Sequence, residues 1–202
     1  YLVGINMSIL RASDNPNWIK TRDFTKKELE VLMDIFPFYV VNTLHESYSY
    51  RSIPVTSYGW PDNIWNTGVL REQLFHVANL SNGYNLFIAE RLEDMSDACN
   101  HAHMGDDFYL YRDQERIAIY VNSSTNIVLS IFKHIRNALA HGRFVMYSSG
   151  DDMMIALESV DNHNKALVLK ARMVLRASTL INWMNIITRG PQENMQRKRK
   201  KK

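Results

Sequence analysis

Three residues with chemistry suited to a phosphate lie close together in the C-terminal half of the chain: Arg136, Asn137 and His141. A histidine can take or give a proton near neutral pH. An arginine presents a planar fork of N–H donors that matches phosphate oxygens, and an asparagine can orient the imidazole or hold a hydroxyl. Together these groups suit cleavage of a phosphodiester by its own ribose 2′-OH, a reaction that needs no metal ion.

The element that must position these residues is predicted to be an amphipathic helix. Its N-cap is expected among Ser123, Ser124 and Thr125, and Gly142 suits the left-handed position that ends many helices. Apolar residues recur at the spacing of one buried helix face, at Ile127, Val128, Ile131, Phe132, Ile135, Ala138 and Leu139. The opposite face is expected to be a polar surface stripe of Ser130, His134, Asn137 and His141, with Arg136 and Arg143 beside it.

Spacing alone leaves two interpretations of this stripe open. The polar residues could form a phosphate site, or they could be a solvated helix face whose side chains make caps and a salt bridge. An arginine followed by a histidine after four intervening residues occurs by chance in many helices, so spacing alone favours the second interpretation.

The ten residues from Ile135 to Phe144, IRNALAHGRF, resemble the R-x4-6-H motif of the HEPN superfamily, and in particular a group of plasmid- and defence-associated HEPN proteins. The resemblance implies a mainly α fold, a HEPN-like bundle of four to six helices with a small β-hairpin after the motif helix. The hairpin is expected at Phe144–Ser149 and Met153–Val160, around Gly150 and Asp151. A long helix is expected to follow over Lys165–Ile187.

The resemblance also implies a function, that of a metal-independent endoribonuclease of the toxin or antiviral-defence type, leaving 2′,3′-cyclic phosphate and 5′-OH ends. Arg136, Asn137 and His141 would be catalytic. Arg143, His134 and Lys133 would contact RNA phosphates. The alternative for His134 is a surface or interface residue with no contact to RNA. No cofactor and no metal are expected. The partners implied are RNA, a second copy forming a composite cleft, and an antitoxin or activator protein.

Two functions from other classes remain open. A non-catalytic HEPN module would bind RNA, a nucleotide or a protein partner through the same arginine and histidine. A purely structural domain would use the polar stripe as a dimer seam. Cleavage in the presence of a chelator would separate the enzyme from both.

Composition and charge limit the class of protein. Of 202 residues, 46% are hydrophobic, which is typical of a folded chain. The run Arg197–Lys202 holds six of the 24 basic residues, and the remaining 18 are outnumbered by 21 acidic ones. A globally basic nucleic-acid surface is therefore not supported. We expect a lead-in over residues 1–24, one domain over 25–190, and a disordered basic tail over 191–202.

Cysteine content and hydropathy point to a cytoplasmic protein. Cys99 is the only cysteine, so no intrachain disulfide can form, as in a reducing cytosol. No apolar stretch is long enough to span a membrane, and residues 1–10 lack the pattern of a signal peptide. His101 and His103 lack the spacing of a structural zinc site.

The rest of the chain is predicted to be mostly helical. Thr25 and Glu28 form a capping-box pattern at the start of a helix that should reach Glu46, with a kink at Pro37. Residues 47–66 are predicted to be a loop in which Trp60 and Trp65 either pack or stack on bases. Helix is predicted over Thr67–His103, and over Asp106–Tyr120 with a strand as the alternative.

Overall fold

The computed structural model describes residues 9–14, 16–19, 22–44, 49–108, 113–163 and 166–200, with the backbone alone at residue 163 and over 192–200. Within these residues the chain forms one five-stranded sheet and five α-helices. The helices are α1 (Lys26–Phe36), α2 (Val69–Val77), α3 (Met95–His101), α4 (Ile127–Ala140) and α5 (Ala177–Lys200). The strands are β1 (Leu86–Ala89), β2 (Arg116–Tyr120), β3 (Phe144–Ser149), β4 (Asp152–His163) and β5 (Ala166–Arg176).

The sheet is mixed, with the strand order β1-β2-β5-β4-β3. β1 runs parallel to β2, and the other neighbours are antiparallel. β4 and β5 form a long hairpin at its centre, and their register shifts between Ser159 and Val160. Because β5 pairs with both β2 and β4, it joins the N-terminal half of the sheet to the hairpin that follows α4.

Each face of the sheet carries its own core, since side chains alternate between faces along a strand. On the first face, Ile117, Ile155 and Met173 pack with the buried residues of α2, α4 and α5. On the second face, Ala118, Met154 and Val174 pack with α3 and with Trp18 and Phe108. The fold is therefore three-layered, and α4 lies on the first face.

The prediction of a mainly α bundle is wrong, because the chain builds a five-stranded sheet. The largest difference falls in the segment predicted as a helix over Lys165–Ile187, of which Lys165 itself lies outside the described residues. Residues 166–176 are strand β5, and helix begins only at Ala177. Apolar residues are so dense in β5 that their spacing fits both a helix and a strand. The segment forms a strand because it pairs with both β2 and β4.

The helices predicted over Thr67–His103 and Asp106–Tyr120 are also corrected. The first range contains α2, strand β1 and α3, and the second ends in strand β2, with residues 109–112 outside the described part of the chain. β1 is only four residues long, too short for a strand period to stand out from helical neighbours.

Several local predictions are confirmed. Thr25 and Glu28 form a reciprocal capping box at the start of α1, and at Pro37 the helix passes into a π-helical turn over Pro37–Val41. Helical structure ends at Val41, so the predicted extension to Glu46, which itself lies outside the described residues, is wrong. The hairpin of β3 and β4 forms where it was predicted, with β4 extended to Asp152–His163. The N-cap of α4 is Asn126 rather than one of Ser123, Ser124 or Thr125.

The N-terminal end of the described chain is hydrogen-bonded to strand β5, and the C-terminal end continues as the last part of α5. In the predicted lead-in, the Ala12 N–H donates to the Leu167 carbonyl at 2.9 Å, and the Leu169 N–H donates to the Leu10 carbonyl at 3.0 Å. α5 bends sharply at Gly190 and its backbone continues to Lys200; residues 201–202 lie outside the described part. None of the helices in the described ranges has the length and apolar character of a membrane span.

Candidate functional site

Helix α4 is held firmly in place at its start and along its buried face. The Asn126 side chain accepts from the Val128 N–H at 2.8 Å and donates to the Trp65 carbonyl at 2.6 Å. Ile131, Ile135 and Ala138 are each at most 1% exposed against the sheet and its neighbouring helices. The orientation of the helix is therefore fixed, and with it the set of residues that can reach a ligand.

The accessible side of α4 is the surface that we call the motif stripe: Leu129, Lys133, Arg136, Asn137, Ala140 and His141. The first four are partly exposed, and Ala140 and His141 are exposed. These residues recur at helical spacing on one side. The predicted surface stripe through Ser130 and His134 is wrong, because both side chains are buried against the sheet.

His134 lies inside the protein and not on the motif stripe. Its Nδ1 lies 2.8 Å from the Ser159 hydroxyl on β4, and the ring also bonds to the Tyr120 backbone. Burial, together with the neighbouring positive charges of Lys133 and Lys170, lowers the pKa of His134 to about 3. The imidazole is therefore neutral at physiological pH and cannot supply a cation to a phosphate.

Arg136, Asn137 and His141 lie at the C-terminal end of the motif stripe. The Arg136 guanidinium donates to Asn137 Oδ1 at 3.2 Å, and Arg136 Nε has no hydrogen-bond partner within the described part of the chain. The His141 N–H donates to the Asn137 carbonyl at 3.1 Å, which ends the helix. Gly142 follows with φ +66°, as predicted, and leaves the His141 imidazole exposed.

Lys133 adds positive charge one helical turn before the motif. It is partly exposed and makes no ion pair with any described residue. Lys170 lies nearby, with its Nζ 4.8 Å from the centre of the Tyr120 ring and 3.9 Å from Asp161. The motif stripe is thus a local cationic surface on a chain whose body is mildly acidic.

Arg143 is directed to the other face of the sheet. It forms a buried ion pair with Glu158 and donates to the Ser13 carbonyl at 3.0 Å. Glu158 also accepts from Arg172 at 2.9 Å, and Arg172 reaches Asp106 at 3.0 Å. The Glu158 carboxylate lies between two arginines, so this cluster is part of the packing of the second face.

Of the six predicted site residues, the structure therefore brings four together. Lys133, Arg136, Asn137 and His141 share the motif stripe, whereas His134 and Arg143 are buried on opposite faces of the sheet.

The remaining polar and aromatic candidates have structural contacts. His101 Nδ1 lies 2.8 Å from the Asp97 carbonyl, and the described residues contain no group of three or more His, Cys, Asp or Glu side chains placed to hold a metal ion. Trp60 is buried and donates to the Ile187 carbonyl at 2.9 Å. Burial raises the pKa of Cys99 to about 11, which keeps the thiol protonated and unreactive.

One feature beside the motif is not visible in the sequence pattern. A cavity of about 480 Å³ opens next to Gly142. Its lining is mainly apolar and comes from the segment before α1, from α1 and from β3: Trp18, Ile19, Arg22, Phe24, Leu32, Phe36, Gly142, Phe144, Val145 and Met146. These segments are far apart in the chain, so periodicity could not bring them together.

Comparisons with family models, curated proteins and solved structures find no match to this chain.

Proposed function

We propose that this protein is a metal-independent endoribonuclease that acts through the motif stripe, as the resemblance to HEPN proteins implies. The observation that carries the proposal is the exposure of His141 beside Asn137, with the Arg136 guanidinium bonded to the same asparagine. An accessible proton donor or acceptor and a phosphate-binding cation thus share one surface.

The proposed reaction is attack of the ribose 2′-oxygen on the adjacent phosphorus. One histidine removes the 2′-OH proton as the new P–O bond forms. The P–O5′ bond breaks, and the departing 5′-oxygen receives a proton, so that a 2′,3′-cyclic phosphate and a 5′-OH result. Arg136 stabilises the charge on the phosphorane oxygens, Lys133 attracts the backbone, and Asn137 orients Arg136 or the ribose.

The reaction needs both a base and an acid, and each protomer offers one accessible histidine on the motif stripe. A second copy facing the first across α4 would supply the other histidine. We therefore include a homodimer with a composite cleft in the proposal, and place the enzyme in the cytoplasm, where a toxin or defence ribonuclease meets RNA and any antitoxin or activator.

A second candidate function is a non-catalytic module that binds RNA or a nucleotide. The burial of His134 and Arg143 favours this binding module. A single protomer then has cations that can hold a phosphate, but His141 is its one accessible group on the motif stripe for proton transfer.

RNA cleavage by the wild type and by His141→Ala, in excess EDTA, tests the proposal. We expect the substitution to lower the cleavage rate by about 100-fold or more, as loss of a general acid or base does. The wild-type products should carry cyclic phosphate ends.

His101→Ala is the matched control, because His101 is an exposed histidine on α3 and outside the motif stripe. Equal cleavage by both variants would contradict the role of His141. RNA binding without cleavage by any of the proteins would favour the binding module.

A further inference from the structure

The cavity beside Gly142 has the properties of a site for a flat, neutral ring. Four of its lining residues are aromatic: Trp18, Phe24, Phe36 and Phe144. The rings of Phe24 and Phe144 stack on each other, parallel to within 4° and with centres 5.9 Å apart, which leaves the outer face of each for a further ring. Aromatic faces of this kind stack on nucleobases with little regard for base identity.

The cavity carries no uncompensated charge. Arg22 is the one charged residue among its described lining, and it is ion-paired with Glu28 at 2.6 Å. The volume of about 480 Å³ lies within the range of small-molecule sites. A neutral planar group suits this lining better than a phosphate does.

One residue of the cavity lining directly follows the motif stripe in the chain. Gly142 lines the cavity, and His141 is the preceding residue, so the two Cα atoms are about 3.8 Å apart. The uncharged cavity lies one residue from His141 in the chain. The cavity and the cationic motif stripe thus offer separate surfaces for the two parts of a nucleotide, which are an uncharged base and an anionic phosphate.

The rim of the cavity is open to a ligand. Phe24 and Phe36 are 43% and 37% exposed, whereas Trp18 and Met146 form buried walls. Exposed aromatic rings at the mouth of an apolar cavity are placed to receive a base from solvent, and the buried side chains limit how deeply it enters.

We propose that this cavity is the base-binding subsite of the protein, which takes an unpaired nucleobase next to the phosphate held on the motif stripe. The proposal rests on the proposed action on RNA, and it adds that the substrate is single-stranded at this position. A base in a duplex is stacked and paired and cannot enter.

The test uses short single-stranded RNAs with one fluorescent 2-aminopurine, placed in turn at each position, bound to the His141→Ala protein. Stacking should quench the fluorescence at one position. Adding Phe24→Ala should abolish the quenching and weaken binding by about tenfold, the scale of one lost stacking contact. Phe24→Trp should retain the quenching and the wild-type binding affinity, because tryptophan also stacks on a base.

Met33→Ala is the matched control, because Met33 is 75% exposed on α1 and does not line the cavity. Equal quenching in the Phe24→Ala and Met33→Ala proteins, or no quenching at any position, would overturn the subsite. The midpoint of thermal unfolding is measured for each variant, so that a loss of quenching caused by unfolding can be recognised.

The outcome is separable from that of the cleavage assay. Position-specific quenching that depends on Phe24 supports the subsite even if the wild type cleaves no RNA. His141-dependent cleavage without such quenching would leave the nuclease standing and remove the subsite.

Discussion

At the scale of single residues, His134 makes stability depend on pH. Its ordinary pKa of 6.5 falls to about 3 in the folded protein because the imidazole is buried. Between these values the unfolded chain binds more protons than the folded one, so stability is lost as the pH falls from 6.5 towards 3. The loss is about 1.4 kcal/mol per pH unit.

We therefore expect His134→Gln, which cannot titrate, to flatten this dependence. Urea unfolding at pH 7.5 and pH 4.5 should show a loss for the wild type that exceeds the loss for the variant by about 2 to 3 kcal/mol. His101→Gln, at an exposed histidine, should keep the wild-type dependence. Parallel pH profiles for the wild type and His134→Gln would contradict the buried, neutral assignment.

At the scale of elements, the bend in α5 depends on Gly190. Its φ of +71° is a left-handed conformation, and a Cβ at this position would overlap the Tyr58 carbonyl oxygen. The close approach lets α5 pack against the turn over Val55–Tyr58, and only glycine combines this φ with this contact.

We expect Gly190→Ala to lower the free energy of unfolding by more than the roughly 1 to 2 kcal/mol of left-handed strain. Gly150→Ala is the control, since Gly150 has φ +58° and an added methyl group there would meet no atom beyond its chain neighbours within 4 Å. Chemical denaturation of both variants measures the difference, which combines the clash with the Tyr58 carbonyl and the strain of a non-glycine residue at ψ −178°. Equal destabilisation would show that α5 moves away from Tyr58 without penalty.

At the scale of the whole molecule, the proposed cleft needs two copies to meet along the motif stripe. Leu129 is the partly exposed apolar residue at its start. We expect Leu129→Glu to dissociate the dimer, because a carboxylate in an apolar contact loses its solvation. Light scattering should show that the molar mass in solution falls to half, and the rate of RNA cleavage should fall as well.

Met33→Glu serves as the control for this dimer. Met33 lies with Leu29 and Phe36 on an exposed apolar surface of α1, away from the motif stripe. Dissociation by Met33→Glu alone would place the interface on α1, and a wild type that cleaves as a monomer would contradict the composite cleft.

The accuracy of the sequence predictions follows the range of the interactions involved. The capping box at Thr25 and the hairpin of β3 and β4 depend on contacts between residues close in the chain, and both form as predicted. α4 also forms, with its N-cap at Asn126 instead of the predicted Ser123, Ser124 or Thr125. β5 depends on partners in two other strands, and β1 and β2 pair across more than 25 residues of chain, so their local patterns resembled helix.

The same distinction applies to the candidate site. The sequence by itself determined that Arg136, Asn137 and His141 lie together at the end of a helix, because helical spacing and a glycine stop are local properties. Only the tertiary structure decided that the buried side of α4 also includes Ser130 and His134. Ser159 on β4 draws His134 inward, and Glu158, one residue earlier and so on the opposite face, draws Arg143 away. Strand pairing sets these positions, and no pattern along α4 contains that information.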